Sequence, residues 1–192
     1  MDRTDIDILN YIKNRDYIPR MTTQVKNRNQ QHLKLSERNL CKSIISQIKT
    51  FILSQLRIGA TVYISSLGQF YCEKPLPGKI KKLDIIYNIV DIYKMDRKIA
   101  KMFVEDYFNC IAYYLTKDGS ISISGIGTLY LQNIAVRTIQ TFTGEKKTLH
   151  AQKRVLFTPS SKINDETEKI VFKFKSSATL RDVCNGYKSF SI

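Results

Sequence analysis

An internal repeat constrains this chain more than any other feature of its sequence. Residues 40–56 carry apolar side chains at helical spacing, and two short β-type segments, 61–64 and 66–71, follow a Gly turn. The same order returns in residues 99–114, 120–123 and 125–130, and the segments 66–71 and 125–130 match in position and residue type. The repeat predicts the α+β class with two units, each a helical base and an antiparallel hairpin.

The first predicted unit covers residues 1–73. A short helical stripe runs from Ile6 to Ile12, and Ser36 is the predicted N-cap of the long helix. Between them, residues 14–34 are polar and basic, so this segment has little apolar surface to bury. It predicts a long loop or an insertion.

The second predicted unit covers residues 83–169 and follows a basic, Pro- and Gly-containing linker at 74–82. Asp96 is the predicted N-cap of its long helix, and Gly119 ends that helix. Residues 128–157 form a predicted β-arm, and residues 160–169 a short final helix. Residues 170–192 then predict an additional strand and tail, apolar enough to dock on a neighbouring subunit.

The charge indicates a polyanionic partner, because 31 Lys and Arg against 17 Asp and Glu give a net charge of +14. No apolar run reaches the length of a membrane span, and we expect neither a leader segment nor a membrane partner. The four cysteines lie far apart and only two histidines are present, which disfavours a zinc site. We expect no catalytic residues, metal, cofactor or small-molecule substrate.

The order of elements, together with the Gly125-Ile126-Gly127 step into a strand, resembles the HU/IHF family of bacterial histone-like proteins. The resemblance runs without a gap from Lys82 to Gly127. It continues through Thr143-Gly144, and then through Ala151, Lys153, Phe157 and Pro159. In the first part it extends from residue 35 to residue 70, but the chain passes from Cys72 directly into 74–78, without an arm.

The resemblance implies two HU/IHF-like units in tandem, with the first arm truncated and the second retained. Because proteins of this family are obligate dimers, we expect the two units to pair with each other inside one chain. In the family, two basic arms wrap the minor groove and a Pro near each tip wedges between base steps. The tip here, residues 138–144, has no Pro. Ile139 or Phe142 is the candidate wedge, and packing of these side chains on a protein partner is the alternative.

The candidate DNA-binding residues are cations in three clusters, with a plain solvated face as the alternative interpretation. They are Arg20, Lys26, Arg28 and Lys34; Lys74, Lys79, Lys81 and Lys82; and Arg137, Lys146, Lys147, Lys153 and Arg154.

Two functions follow from these features. The missing first arm, the tip without Pro, the apolar outgoing arm strand and the tail favour a structural protein of a bacteriophage virion, a neck or tail ring component. The chain is similar in type to the divergent IHF-like proteins of crass-like bacteriophages, which implies other virion proteins and further copies of the chain as partners. The alternative is an architectural protein that bends or compacts DNA. The expected location is the virion, or the host cytoplasm for a free DNA-binding protein.

Overall fold

The computed structural model describes residues 3–28, 35–72, 75–140, 142–160 and 172–188. Within these ranges the chain forms, in order, α1 (Arg3–Ile12), α2 (Ile18–Arg28), α3 (Glu37–Arg57), β1 (Thr61–Ile64), β2 (Gly68–Cys72), β3 (Lys79–Lys81), α4 (Lys82–Tyr93), α5 (Arg97–Asp118), β4 (Ser120–Ile123), β5 (Gly127–Ile134), β6 (Arg137–Gln140), β7 (Lys146–Leu149), β8 (Gln152–Pro159), β9 (Phe172–Ser176) and α6 (Ala178–Cys184). The predicted final helix at 160–169 falls almost wholly outside the described residues.

The boundaries of the two long helices are set by side-chain caps, as predicted. The hydroxyl of Ser36 accepts a hydrogen bond from the backbone N–H of Asn39 at 3.3 Å, and the carboxylate of Asp96 accepts one from Lys98 N–H at 2.7 Å. Gly119 ends α5 with φ +76°, the left-handed conformation that favours glycine. Both N-cap predictions are confirmed.

The segment at 14–34 contains a helix, so the prediction of a long loop is wrong. Ile18, Met21 and Val25 lie at i, i+3 and i+7 of α2 and are completely buried. Pro19 lies in the first turn, where the missing N–H leaves no helical bond unmade. The prediction relied on the polar composition of the segment. Three apolar residues at helical spacing are nevertheless enough to pack this otherwise polar helix against α3.

Two main sheets lie against the helices, with strand orders β3-β1-β2-β9 and β4-β5-β8. Part of the predicted linker belongs to the first sheet, since β3 pairs in parallel with β1, and Lys82 already begins α4. The C-terminal strand β9 exists as predicted, but it pairs antiparallel with β2 of the same chain. One edge of β9 therefore completes the first sheet, and contact of the C-terminal segment with a neighbouring subunit stays a prediction.

The strand β9 meets the first sheet in the same way that β8 meets the second. Gly68 and Gly127 begin β2 and β5 with φ +148° and +153°. A Cβ on Gly68 would lie 2.2 Å from the carbonyl oxygen of Lys175, and one on Gly127 would lie 2.4 Å from that of Thr158. Only glycine at these two positions allows β9 to pass so close to β2, and β8 so close to β5.

The residue after β9 and the residue after β8 make equivalent backbone hydrogen bonds, each to the residue that precedes the glycine. Ser177 N–H donates to the carbonyl of Leu67 at 2.8 Å, and Ser160 N–H donates to that of Ile126 at 3.1 Å. After β9, Ser177 caps α6, and the helix buries Leu180 and Cys184. The first half of the chain thus obtains the fourth strand of its sheet and a closing helix from residues 172–184.

The two halves share one hydrophobic core, and their helices pack reciprocally. The first helix of the chain, α1, packs on α5 and β4, while α4 packs on α3 and β1. Phe103, Tyr107 and Ile44 are among the fully buried side chains of this core. Each half therefore covers the other's long helix, and burial of the shared apolar core stabilises both halves together.

Polar pairs fix the register of the helices across this boundary. Asp106 on α5 accepts a hydrogen bond from the hydroxyl of Tyr17 at 2.9 Å and lies 3.2 Å from Nε of Arg15. Burial, and then the neighbouring Asp106 carboxylate, raise the pKa of Tyr17 far above its ordinary value. On the opposite side, Gln47 of α3 donates to Asn88 of α4 at 3.0 Å.

Replacing Gly68 tests the close approach of β9. We expect Gly68→Ala to lower the free energy of unfolding by about 2 kcal/mol or more, because the new Cβ meets backbone and the φ is strained. Urea unfolding followed by circular dichroism measures this change. Gly78→Ala is the matched control, since its Cβ would meet only the Ala60 methyl at 4.0 Å. Equal midpoints for the two variants would contradict the pairing of β2 with β9.

Candidate nucleic-acid interface

A two-stranded arm projects from the second sheet. Beyond β5 and β8 the chain continues into β6 and β7, which pair antiparallel from Arg137 with Leu149 to Gln140 with Lys146. Every residue of β6 is exposed, and only Leu149 of β7 is half-buried. An isolated two-stranded ribbon has no core of its own, so this arm presents both of its faces to solvent.

The tip of the arm presents an apolar side chain. Phe142 is fully exposed, and Ile139 on β6 is 38% exposed. Gly144 makes the turn with φ +84°. A single exposed apolar side chain is not unusual on a protein surface, but this one lies at the end of a projecting hairpin, where a partner can reach it.

Cations lie on both faces of the arm because side chains alternate along each strand. Lys147 lies opposite Ile139 and shares its face with Arg137, whereas Lys146 lies opposite Gln140 on the other face. All three cations are exposed. A ribbon with cations on both faces can contact two phosphate chains at once.

The base of the arm is tied to the last described helix. The side chain of Asn185, at the C-terminus of α6, accepts a hydrogen bond from Lys153 N–H at 2.7 Å and donates one to the Lys153 carbonyl at 3.1 Å. This amide thus mimics a strand at the edge of β8. It leaves the side chains of Lys153 and its neighbour Arg154 exposed to solvent.

The other candidate cations are spread over several parts of the molecule. Arg20 and Arg28 are exposed on α2, and Lys26 is half-buried there. Lys82 makes an ion pair with Glu105, with 2.7 Å between Nζ and Oε1, so its charge is already matched. Lys34 and Lys74 lie outside the described residues. The structure does not gather these cations into one patch with the arm.

Lys79 and Lys81 lie on a different surface, the outer face of the first sheet, which is the face turned away from the core. Two lysines that sequence reasoning missed lie there as well. Lys173 and Lys175 are exposed on β9. The alternating sequence Phe172-Lys173-Phe174-Lys175 was the available signal, since it predicts one apolar and one basic face. Without a partner strand, however, the sequence does not say where the basic face lies.

Other chemistry finds little support in the described ranges. No group of three or more His, Cys, Asp or Glu side chains lies close enough there to hold a metal ion. No helix in the same ranges is long and apolar enough to cross a membrane. Burial raises the pKa of the Cys41 and Cys110 thiols to about 12, so both stay protonated near neutral pH.

Removing the Asn185 amide tests the anchoring of the arm. We expect Asn185→Ala to accelerate amide hydrogen exchange at Lys153 about 5- to 30-fold, the effect of losing roughly 1–2 kcal/mol of local stability. Exchange measured by mass spectrometry on peptides spanning the arm base gives the rates. Gln132→Ala, at an exposed position on β5, is the control. Unchanged exchange in both variants would show that the amide does not hold the arm.

About half of the chain is similar to known bacterial proteins. A family model described as "Bacterial DNA-binding protein" matches residues 80–168. Integration host factor subunit alpha of Actinobacillus pleuropneumoniae serotype 5b (strain L20) is 30% identical over 95 residues, which cover 49% of this chain and 97% of that protein. The same subunit of Glaesserella parasuis serovar 5 (strain SH0165) is 30% identical over 90 residues, covering 46% of this chain and 92% of the relative. Among solved structures, an Anabaena HU–DNA cocrystal structure covers 42% of this chain and 88% of its own, with 15% identity and a TM-score of 0.37.

Proposed function

Because this chain belongs to the family of bacterial DNA-binding proteins, we propose that it is a non-enzymatic architectural protein that binds and bends duplex DNA. The observation that carries the proposal is the exposed arm, with cations on both faces and Phe142 at its tip. This arm lies inside the residues that the family model matches. The proposal does not depend on base-specific contacts.

The arm supplies two kinds of contact to a duplex. Arg137, Lys146 and Lys147 neutralise backbone phosphates on the two sides of a groove, and Lys153 and Arg154 extend these contacts to the arm base. Phe142 inserts between two base pairs at the tip. Unstacking one step costs a few kcal/mol, which is offset when the bent duplex reaches more of the protein surface.

We further propose that the two halves act as the two subunits of a built-in dimer. The reciprocal packing of α1 and α4 supports this proposal, as does the shared close approach at Gly68 and Gly127. In this interpretation residues 172–184 belong to the first unit and the second unit is inserted where the first unit's arm would be. A single chain then binds one duplex with one arm.

The structural role in a virion receives no support from the comparisons. The matched relatives are named as subunits of integration host factor and not as virion components. In addition, the C-terminal strand that suggested contact with a neighbour is paired with β2 inside the chain. We therefore favour the architectural function.

Duplex binding across a salt series tests the proposed function. We expect a monomer that binds short duplexes, with an affinity that falls steeply as salt rises. The triple variant Arg137→Gln/Lys146→Gln/Lys147→Gln should reduce the slope of log K against log salt by about 2–3, since each phosphate contact contributes about 0.9. Fluorescence anisotropy measures the affinity for the duplex, and light scattering measures the oligomeric state. A ring-sized oligomer without duplex binding would overturn the proposal in favour of a structural assembly.

A variant at the arm tip separates bending from binding. We expect Phe142→Ala to reduce the bend of an end-labelled duplex, measured by energy transfer, because the wedge is lost. The salt slope should stay unchanged, because no cation is removed. Val136→Ala, at an exposed apolar position away from the tip, is the matched control. An unchanged bend in Phe142→Ala would show that this side chain is not the wedge.

A further inference from the structure

The second sheet has an open edge at β4. Among the described residues its strand order is β4-β5-β8, so β4 has a neighbour on one side only, whereas the corresponding strand of the first sheet, β1, lies between β2 and β3. We propose that the outer edge of β4 binds an extended segment of a partner protein, which adds a parallel strand of alternating basic and apolar residues. This inference goes beyond the proposed function and does not depend on DNA binding.

The strands β1 and β4 hold equivalent places in their two sheets. Each is the first strand of a hairpin, and its last residue pairs with the glycine that begins the second strand, Ile64 with Gly68 and Ile123 with Gly127. Counting back from these pairs aligns the two strands residue by residue. The equivalent positions are Thr61 and Ser120, Val62 and Ile121, Tyr63 and Ser122, and Ile64 and Ile123.

Backbone hydrogen-bonding groups of β4 point away from the sheet at this edge. The carbonyl of Gly119, just before the strand, accepts a hydrogen bond from Leu131 N–H of β5 at 2.8 Å. Residues along an antiparallel strand alternate between bonding to the neighbour and facing away from it. The N–H and C=O groups of Ser120 and Ser122 therefore face outward, where an added strand can reach them.

The strand β3 shows what kind of segment fits such an edge. It consists of residues 79–81 only and runs parallel to β1. The N–H of Thr61, which is equivalent to that of Ser120, donates to the carbonyl of Gly78 at 3.0 Å. Ile80 is half-buried and packs against the core, whereas the lysines on both sides of it are exposed. Three residues with one inward apolar side chain are thus enough to add a strand at this position.

The sequence of β4 lacks the usual protection of a free edge. Proteins block exposed strand edges with charged side chains, above all Lys, or with Pro. The edge strand β3 carries Lys79 and Lys81, and Pro77 precedes it, whereas β4 reads Ser-Ile-Ser-Ile. The shortness of β4 does not prevent pairing, because β1 also has four residues and pairs on both sides. An edge without these protective residues favours a strand that is paired when the protein acts.

The charges around the edge favour a basic segment. Asp118 is exposed at the end of α5, two residues before β4, and Asp7 lies on α1, the helix that packs on β4. Burial is the main cause that raises the pKa of Tyr114, and the charges of Asp7 and Asp118 are among the smaller causes, so both acids act on the same region. The one neighbouring cation, Lys117, lies 5.9 Å from the centre of the Tyr114 ring. A segment like β3, with cations on both sides of an apolar residue, complements this excess of acids.

A peptide with the sequence of residues 77–82, blocked at both ends, tests the inference on the intact chain. At saturation we expect it to slow the amide exchange of Ser120 and Ser122 at least about 5-fold, because their N–H groups gain acceptors. The amides of the two isoleucines of β4 face β5 and should change less than about 2-fold. Exchange followed by nuclear magnetic resonance gives the rate of each amide. The same peptide with Ile80→Pro keeps every charge but lacks the central N–H and the isoleucine side chain, and it should have no effect.

Two variants of the protein locate the site. Ser122→Pro removes one outward N–H and should abolish the protection of Ser120 by the peptide, since Pro cannot donate to an added strand. Ser122→Ala is the matched control, because it loses only the hydroxyl contact with Thr128 at 2.8 Å and keeps the N–H. It should respond to the peptide as the unmodified chain does. Melting temperatures within a few degrees of the unmodified chain show that both variants are folded.

Several results would overturn the inference. No protection by the peptide, or equal protection by its Ile80→Pro form, would show that no strand is added. Slow exchange of Ser120 and Ser122 without any peptide would show that another part of this chain already covers the edge. Protection that rises with protein concentration, together with a dimer in light scattering, would assign the edge to a second copy of the chain. None of these results bears on duplex binding, so the proposed function stands or fails separately.

Discussion

The pairing of β2 with β9 is the contact on which the rest of the structure depends. It completes the sheet of the first half with a strand from the far side of the second half, and α6 follows to bury Leu180 and Cys184. With the sheet complete, the helices of the two halves have rigid surfaces to pack on, and a single core forms. A chain held closed in this way presents one arm rather than two.

One arm changes how such a molecule can hold DNA. Two arms grip a duplex from both sides, whereas a single arm needs an opposing surface to resist the bending force. The first sheet, which carries no arm in the described residues, presents Lys79, Lys81, Lys173 and Lys175 on its outer face, whereas the second sheet, which carries the arm, presents only Arg154 there. The outward-facing lysines thus lie mainly on the sheet that does not carry the arm.

Sequence reasoning recovered the local features and missed those that depend on distant contacts. Helical periodicity and the caps at Ser36 and Asp96 are encoded within a few residues, so the long helices were predicted well. The helix α2 was missed because its polar composition hid the stripe of Ile18, Met21 and Val25. The partner of β9 lies more than half the chain away, and no local pattern specifies it. The position of Lys173 and Lys175 beside β2 was missed for the same reason, since their neighbours are known only once the strand is placed.

The position of β9 also constrains how the chain can fold during translation. The strands β1 and β2 leave the ribosome well before β9, so β2 has an unpaired edge and Phe70 lacks its contact with Phe174 until then. We expect this edge to stay open until the whole second half has been made, which is a long interval for an unpaired strand. Closing a loop of this size is slow compared with forming a local hairpin. The second half, whose three strands lie close together in sequence, is therefore placed to fold first and to serve as the template on which the first half is finished.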